Sequence, residues 1–142
     1  MKKPILLSVI LVMTALGDTM QAEVDMVGVF MDAIAEVESG GRDIGRHADG
    51  ISVGKYGVTA FAVAELRRVG VLPPVPVIDL FNPHDNALVA REYLLLMLKR
   101  HGYCWGRALG AYHGGSEKAQ DEYATKVFRV AMAQAERKGA NR

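Results

Sequence analysis

Phe30, Ile34 and Val37 recur at helical spacing, and the pattern stops at Glu38-Ser39-Gly40-Gly41. That junction constrains the fold more than any other stretch, because it sets an amphipathic helix directly against a glycine-rich break. The three apolar side chains face a core. Glu38 comes one residue later, at the rim of that face, where the glycines end the helix. A carboxyl there has apolar neighbours and the negative end of the helix dipole beside it. Both disfavour ionisation, so its pKa is expected to rise. A carboxylic acid still protonated near neutral pH can act as a general acid. The plainer reading is an exposed Glu closing a helix.

The rest of the chain reads as mainly helical. The first helix is expected over Val24–Val37. Residues 38–55 hold five glycines and few apolar positions, and read as a long loop or a small hairpin. A second helix is expected over Val58–Val69, with Phe61, Val63, Leu66 and Val69 inward and Thr59 as its cap. Pro73, Pro74 and Pro76 then force an extended linker. Asn82 is a good N-cap, Pro83 suits the first helical position, and Asp85 suits the first turn. The helix they open continues through Leu88, Tyr93, Leu94, Met97 and Leu98 to Gly102, and its wide apolar face predicts a central position. A short helix follows from Trp105 to about Tyr112. Ser116 caps a last one over Glu117–Arg137, with Tyr123, Val127, Val130 and Ala131 inward and fraying from Gly139.

Met1 to Ala22 reads as a secretory signal: Lys2 and Lys3 precede an apolar run, Ile5–Leu16, and small residues follow. The run is short of the roughly 20 residues that span a bilayer. An uncleaved N-terminal anchor is the alternative. Residues 23–142 then form one domain. Without Lys2, Lys3 and Asp18 the chain carries 15 basic and 15 acidic side chains. That balance argues against nucleic acid as the main partner. Cys104 is the only cysteine in 142 residues, so no internal disulfide can form. It is expected as a small buried hydrophobe beside Trp105. The four histidines show no paired ligand spacing, so neither a metal nor a cofactor is expected.

Three blocks line up in order: Ala33–Gly41, Ser52–Thr59 and Ala108–Gly115. Together they resemble the lysozyme-like lytic transglycosylases of bacteria, over about residues 27–131. Invertebrate-type lysozymes share a similar opening. The resemblance implies a lysozyme-like, mainly α domain with a small loop or β-hairpin region after the first helix. It also implies a peptidoglycan-cleaving enzyme in which Glu38 is the acid/base. Tyr112 matches the family's aromatic hydroxyl near that acid, with a hydrogen bond to Glu38 or to the substrate acetamido group. Two positions depart from the pattern: Gly57 stands where a Gln is common, and His113 where Asn follows the Tyr.

Glycoside cleavage needs a proton donor at the leaving oxygen and a means of stabilising positive charge on the sugar. Asp49, in His47-Ala48-Asp49-Gly50, is either the second carboxylate across a cleft or a turn residue holding its own backbone. Asp43 is a weaker second choice. Ser39 braces the helix end or Glu38, or contacts substrate, and is not read as a nucleophile. Tyr56 stacks on a sugar or packs in the core, and His113 donates to substrate or caps its helix. The leading expectation is a lytic transglycosylase cutting the MurNAc-GlcNAc β-1,4 bond. The alternatives are a lysozyme-type hydrolase using Glu38 and Asp49, or a non-catalytic domain binding peptidoglycan or a secretion apparatus. The expected partners are glycan strands and a secretion, conjugation or pilus apparatus, with no stable membrane anchor after signal cleavage. The expected location is the periplasm or the exterior.

Overall fold

The computed structural model describes residues 26–141, so the expected signal sequence lies outside the described residues. It holds five helices: α1 over 26–39, α2 over Ala60–Arg68, α3 over Pro83–Arg100, α4 over Trp105–His113 and α5 over Glu117–Ala140. The mainly helical fold agrees with the periodicity. The region after α1 makes only isolated bridges, Arg46 to Val53 and Val53 to Val58, both antiparallel. It is a tight looped excursion in which Val53 is paired on both sides.

The helix starts follow the cap chemistry. Thr59, Asn82 and Ser116 each accept a hydrogen bond from a first-turn N–H, and Pro83 opens α3. α1 runs two residues past the expected end, so Glu38 and Ser39 are helical. Gly40 and Gly41, both at positive φ, then turn their N–H groups back onto the carbonyls of Glu36 and Ala35. α5 also outlasts expectation, continuing through Gly139 to Ala140.

The core is shared by all five helices. Ile34 of α1, Leu66 of α2, Val89 and Leu94 of α3, Leu109 of α4 and Val127 of α5 are fully buried. Each such side chain contributes about 1.5–3 kcal/mol relative to exposure. Phe30 packs between Trp105 at 4.4 Å and Phe128 at 5.1 Å, the latter edge-on, and so ties α1 to α4 and α5. α3 buries a wide face and packs on both α2 and α4, which makes it the central helix.

Four expectations fail at single residues. Phe61 is 67% exposed, and Leu88 and Val69 are also exposed. Phe61 occupies the second position of α2, where the helix turns away from the core. Cys104 is exposed, because it stands at the N-cap of α4 in the turn after α3, outside the packed face.

Candidate active site

Glu38 lies in the last turn of α1, with its side chain 16% exposed. It forms part of the wall of a groove of about 370 Å³, within the range of roughly 300–1,000 Å³ usual for ligand sites. Asp49, Gly57, Phe61, Tyr93, Tyr112 and His113 also line it. The Glu38 carboxyl is held at one oxygen. Oε1 accepts the Tyr123 hydroxyl at 2.8 Å. Oε2 lies 3.9 Å from His47 Nδ1, beyond hydrogen-bond distance.

Burial pushes the Glu38 carboxyl above its ordinary range. The Tyr123 hydrogen bond and the imidazoles of His113 and His47 oppose that rise, while the negative charge of Asp49 adds to it. Burial is the largest cause, so the direction is upward, as its place at the helix rim implied. Tyr123 itself is buried, and burial pushes its phenol well above the usual range. It therefore stays a neutral donor. The exposed ring of His113 stacks on Tyr123 at 4.4 Å and 10°, covering the residue that holds the acid.

The Gly57 backbone lies close against the carboxyl. Its φ is +59°, and a Cβ there would stand 2.7 Å from Glu38 Cδ. No side chain fits between this backbone and the acid. The departure from Gln at this position is therefore a steric requirement of the observed loop.

Asp49 is held by its own turn. Its Oδ1 accepts the N–H groups of Ile51 at 2.8 Å and Ser52 at 2.9 Å, and its Oδ2 accepts the Ser52 hydroxyl at 2.6 Å. The Ser52 hydroxyl, then the two N–H groups, hold its pKa at about 2. It is a turn residue, and it also lines the groove as a fixed anion. Asp43 borders a separate cavity beside Phe81 and Asn86.

The geometry decides among the expected contacts of three residues. Tyr112 lines the groove, but its hydroxyl donates to the Tyr56 carbonyl at 2.8 Å. Tyr123 makes the bond to Glu38 instead. Tyr112 sits beside Tyr93 on the inward side of α4, so its hydroxyl meets the loop backbone. Ser39 is buried. Its one O–H is shared between the carbonyls of Ala35 at 3.1 Å and Lys55 at 2.9 Å, and it accepts the Arg42 N–H. It ties α1 to the loop and does not face the groove. The Tyr56 ring packs against the core with the Lys55 ammonium 5.9 Å from its centre, and it does not line the groove.

Asn86 anchors the loop from α3. It is 1% exposed, accepts the Tyr56 N–H, and donates to the carbonyls of Val53 and Leu80. Gly54 permits this approach, since a Cβ there would lie 2.6 Å from Asn86 Cγ. Sequence reasoning missed Tyr123, His47, Phe61 and Asn86 as site residues. The one legible signal was Asn86, a polar residue on the apolar face of α3. Among the described residues, no three His, Cys, Asp or Glu side chains group as a metal site would need.

No curated protein and no solved structure matches the chain. The family profile described as "Transglycosylase SLT domain" matches residues 21–130, more than two thirds of the length. With a groove lined by a mostly buried carboxyl at the end of the first helix, this chain belongs to the transglycosylase SLT domain family.

Proposed function

We propose that the chain is a lytic transglycosylase that cuts the MurNAc-GlcNAc β-1,4 bond of peptidoglycan, with Glu38 as general acid and then general base. Family membership supports a peptidoglycan-directed, transglycosylase-type function. The observation that carries the finer reading is the Glu38 carboxyl: it lines a groove, burial raises its pKa, and Tyr123 fixes its orientation. Protonated Glu38 gives its proton to the glycosidic oxygen as the C1–O bond breaks, and the bonding pair leaves with that oxygen. The substrate's acetamido oxygen meets the cation at C1. The Glu38 carboxylate then takes the proton of the same sugar's primary hydroxyl, whose oxygen closes on C1 as the C1–O bond to the acetamido group breaks and its electron pair returns to the amide, giving an anhydro end. Asp49, ionised at the groove wall, adds negative potential near the cation.

Asp49 also supports a second reading, hydrolysis, in which water replaces the sugar hydroxyl. Product mass separates the two, because hydrolysis leaves a reducing end and a product one water heavier. Glu38→Gln should lose about 10²–10⁴-fold or more of muropeptide release from purified cell walls. Turnover by that variant at the wild-type rate sinks the assignment. Retained wall binding without any release by the wild-type chain would instead favour a binding domain. In this reading residues 1–22 direct export and are removed, which the mass of the exported chain tests. A secretion, conjugation or pilus apparatus is the proposed setting.

A further inference from the structure

Tyr93 lines the groove but has no role so far. It stands in the middle of α3 and is 8% exposed. Its ring lies beside that of Tyr112, with 5.8 Å between centres. The three phenols around the groove differ in their bonding. The Tyr112 hydroxyl donates to the Tyr56 carbonyl, and the Tyr123 hydroxyl to Glu38. The Tyr93 hydroxyl has no hydrogen-bond partner among the described residues. Glu65 does not accept it: its oxygens are held by Arg68 at 2.9 and 2.8 Å and by Arg100. A phenol on a buried ring usually finds a partner, because an unpaired polar group shut away from water costs about 1–3 kcal/mol. Among the described residues, no side-chain oxygen or nitrogen sealed from solvent lacks a partner. The Tyr93 oxygen is therefore open at its tip, and the groove is the space that its side chain borders. Burial of the ring pushes the phenol above its ordinary range, so the O–H stays a donor.

Its place in the groove differs from that of the acid. The charges acting on the Tyr93 phenol are those of Glu65 on α2 and Arg100 at the end of α3, and Glu38 is not among them. Tyr112 feels both Glu38 and Tyr93, and so stands between them. Phe61, exposed on α2, turns an apolar ring to the same groove. An aromatic face beside a single O–H donor suits a pyranose, whose C–H face packs on the ring while its oxygens accept at the rim. We propose that Tyr93 is a substrate-binding residue of a sugar subsite set apart from the acid, where its hydroxyl donates to an acetamido carbonyl of the glycan strand. This rests on the reading of the groove as a peptidoglycan site. Of the acceptors on such a strand, the amide carbonyl oxygen accepts without needing to donate in return, which matches a hydroxyl with no acceptor of its own in the chain.

The test uses Tyr93→Phe, which keeps the ring and removes only the hydroxyl. On purified glycan strands KM should rise roughly 3–10-fold, the loss of one neutral hydrogen bond, with kcat within about twofold of the wild type. Tm should not fall, because the hydroxyl has no partner in the fold, whereas Tyr112→Phe, which loses the bond to the Tyr56 carbonyl, should melt lower. Binding is read separately in Glu38→Gln, with and without Tyr93→Phe, by NMR titration with tri-N-acetylchitotriose. The dissociation constant should rise by the same roughly 3–10-fold. Cellotriose has the same linkage with hydroxyls in place of the acetamido groups, and it should bind the two proteins equally weakly. Unchanged KM and unchanged trisaccharide binding would overturn the proposal, as would an equal loss for both trisaccharides, which would assign the bond to a ring hydroxyl. A lowered Tm or failure of Tyr93→Phe to fold would also overturn it, by showing that the hydroxyl serves the fold. Wild-type turnover by Glu38→Gln would sink the reading of the acid and leave the binding comparison standing. An inactive Glu38→Gln with unaltered trisaccharide binding refutes only the role of Tyr93.

Discussion

A Cβ on Gly57 would stand 2.7 Å from Glu38 Cδ and 3.1 Å from its Cγ, and the φ of +59° already disfavours any L side chain. The two penalties act on different properties. Backbone strain costs stability, roughly 1–2 kcal/mol for a non-glycine residue in this region. The collision displaces the carboxyl from Tyr123 and from the groove wall. Gly57→Ala should therefore remain folded, with a slightly lowered Tm, and lose about 10²-fold or more in kcat. Thermal melts beside muropeptide release measure both. A variant with reduced Tm but unchanged kcat would show that the contact does not set the orientation of the acid.

At the scale of elements, the loop between α1 and α2 is held by its neighbours more than by its own pairing. Two isolated bridges are weak support for a segment of some twenty residues. Asn86 supplies the anchor from α3 with three hydrogen bonds, and Ser39 supplies a second from α1. Asn86→Ala leaves the Tyr56 N–H and the Leu80 carbonyl short of a partner, takes one of two donors from the Val53 carbonyl, and opens a cavity. The expected loss is about 2–4 kcal/mol, read from the urea midpoint, with activity falling alongside. Phe61 on α2 behaves in the opposite way. Being 67% exposed, it contributes little to folding, but its ring forms part of the groove wall. Phe61→Ala should leave Tm nearly unchanged and raise KM about 3–10-fold, with kcat much less affected, as expected for loss of one stacking surface near 1 kcal/mol. A changed Tm with an unchanged KM would place Phe61 with the packing residues.

Across the whole molecule, the acid makes stability depend on pH. The folded-state pKa of Glu38 is raised, so the native chain holds a proton that the unfolded chain has already lost. Stability is full below the ordinary carboxyl range near 4.5 and falls as pH rises through the raised value. Glu38→Gln removes that dependence. Its Tm should match the wild type at about pH 4 and exceed it increasingly toward about pH 8. A constant gap between the two melting curves would contradict the raised pKa. The helical scaffold was legible in the sequence because Thr59, Asn82-Pro83 and Ser116 are local signals that act within one turn. Glu38 was legible for the same reason, through the glycines beside it. Its partners were not. Tyr123 reads as one more inward residue of an amphipathic helix, and only the packing of α5 brings its hydroxyl to α1. Phe61 has the helical spacing of a core residue, but periodicity cannot tell a core from a groove. Cys104 was misjudged because burial depends on neighbours distant in sequence.

The clasp on the acid comes from a residue 85 positions further along the chain. A nascent polypeptide still on the ribosome, or one clipped ahead of α5, carries the carboxyl without its hydroxyl partner. The proposed acid is thus held in place only once α5 has been made and has docked against α1.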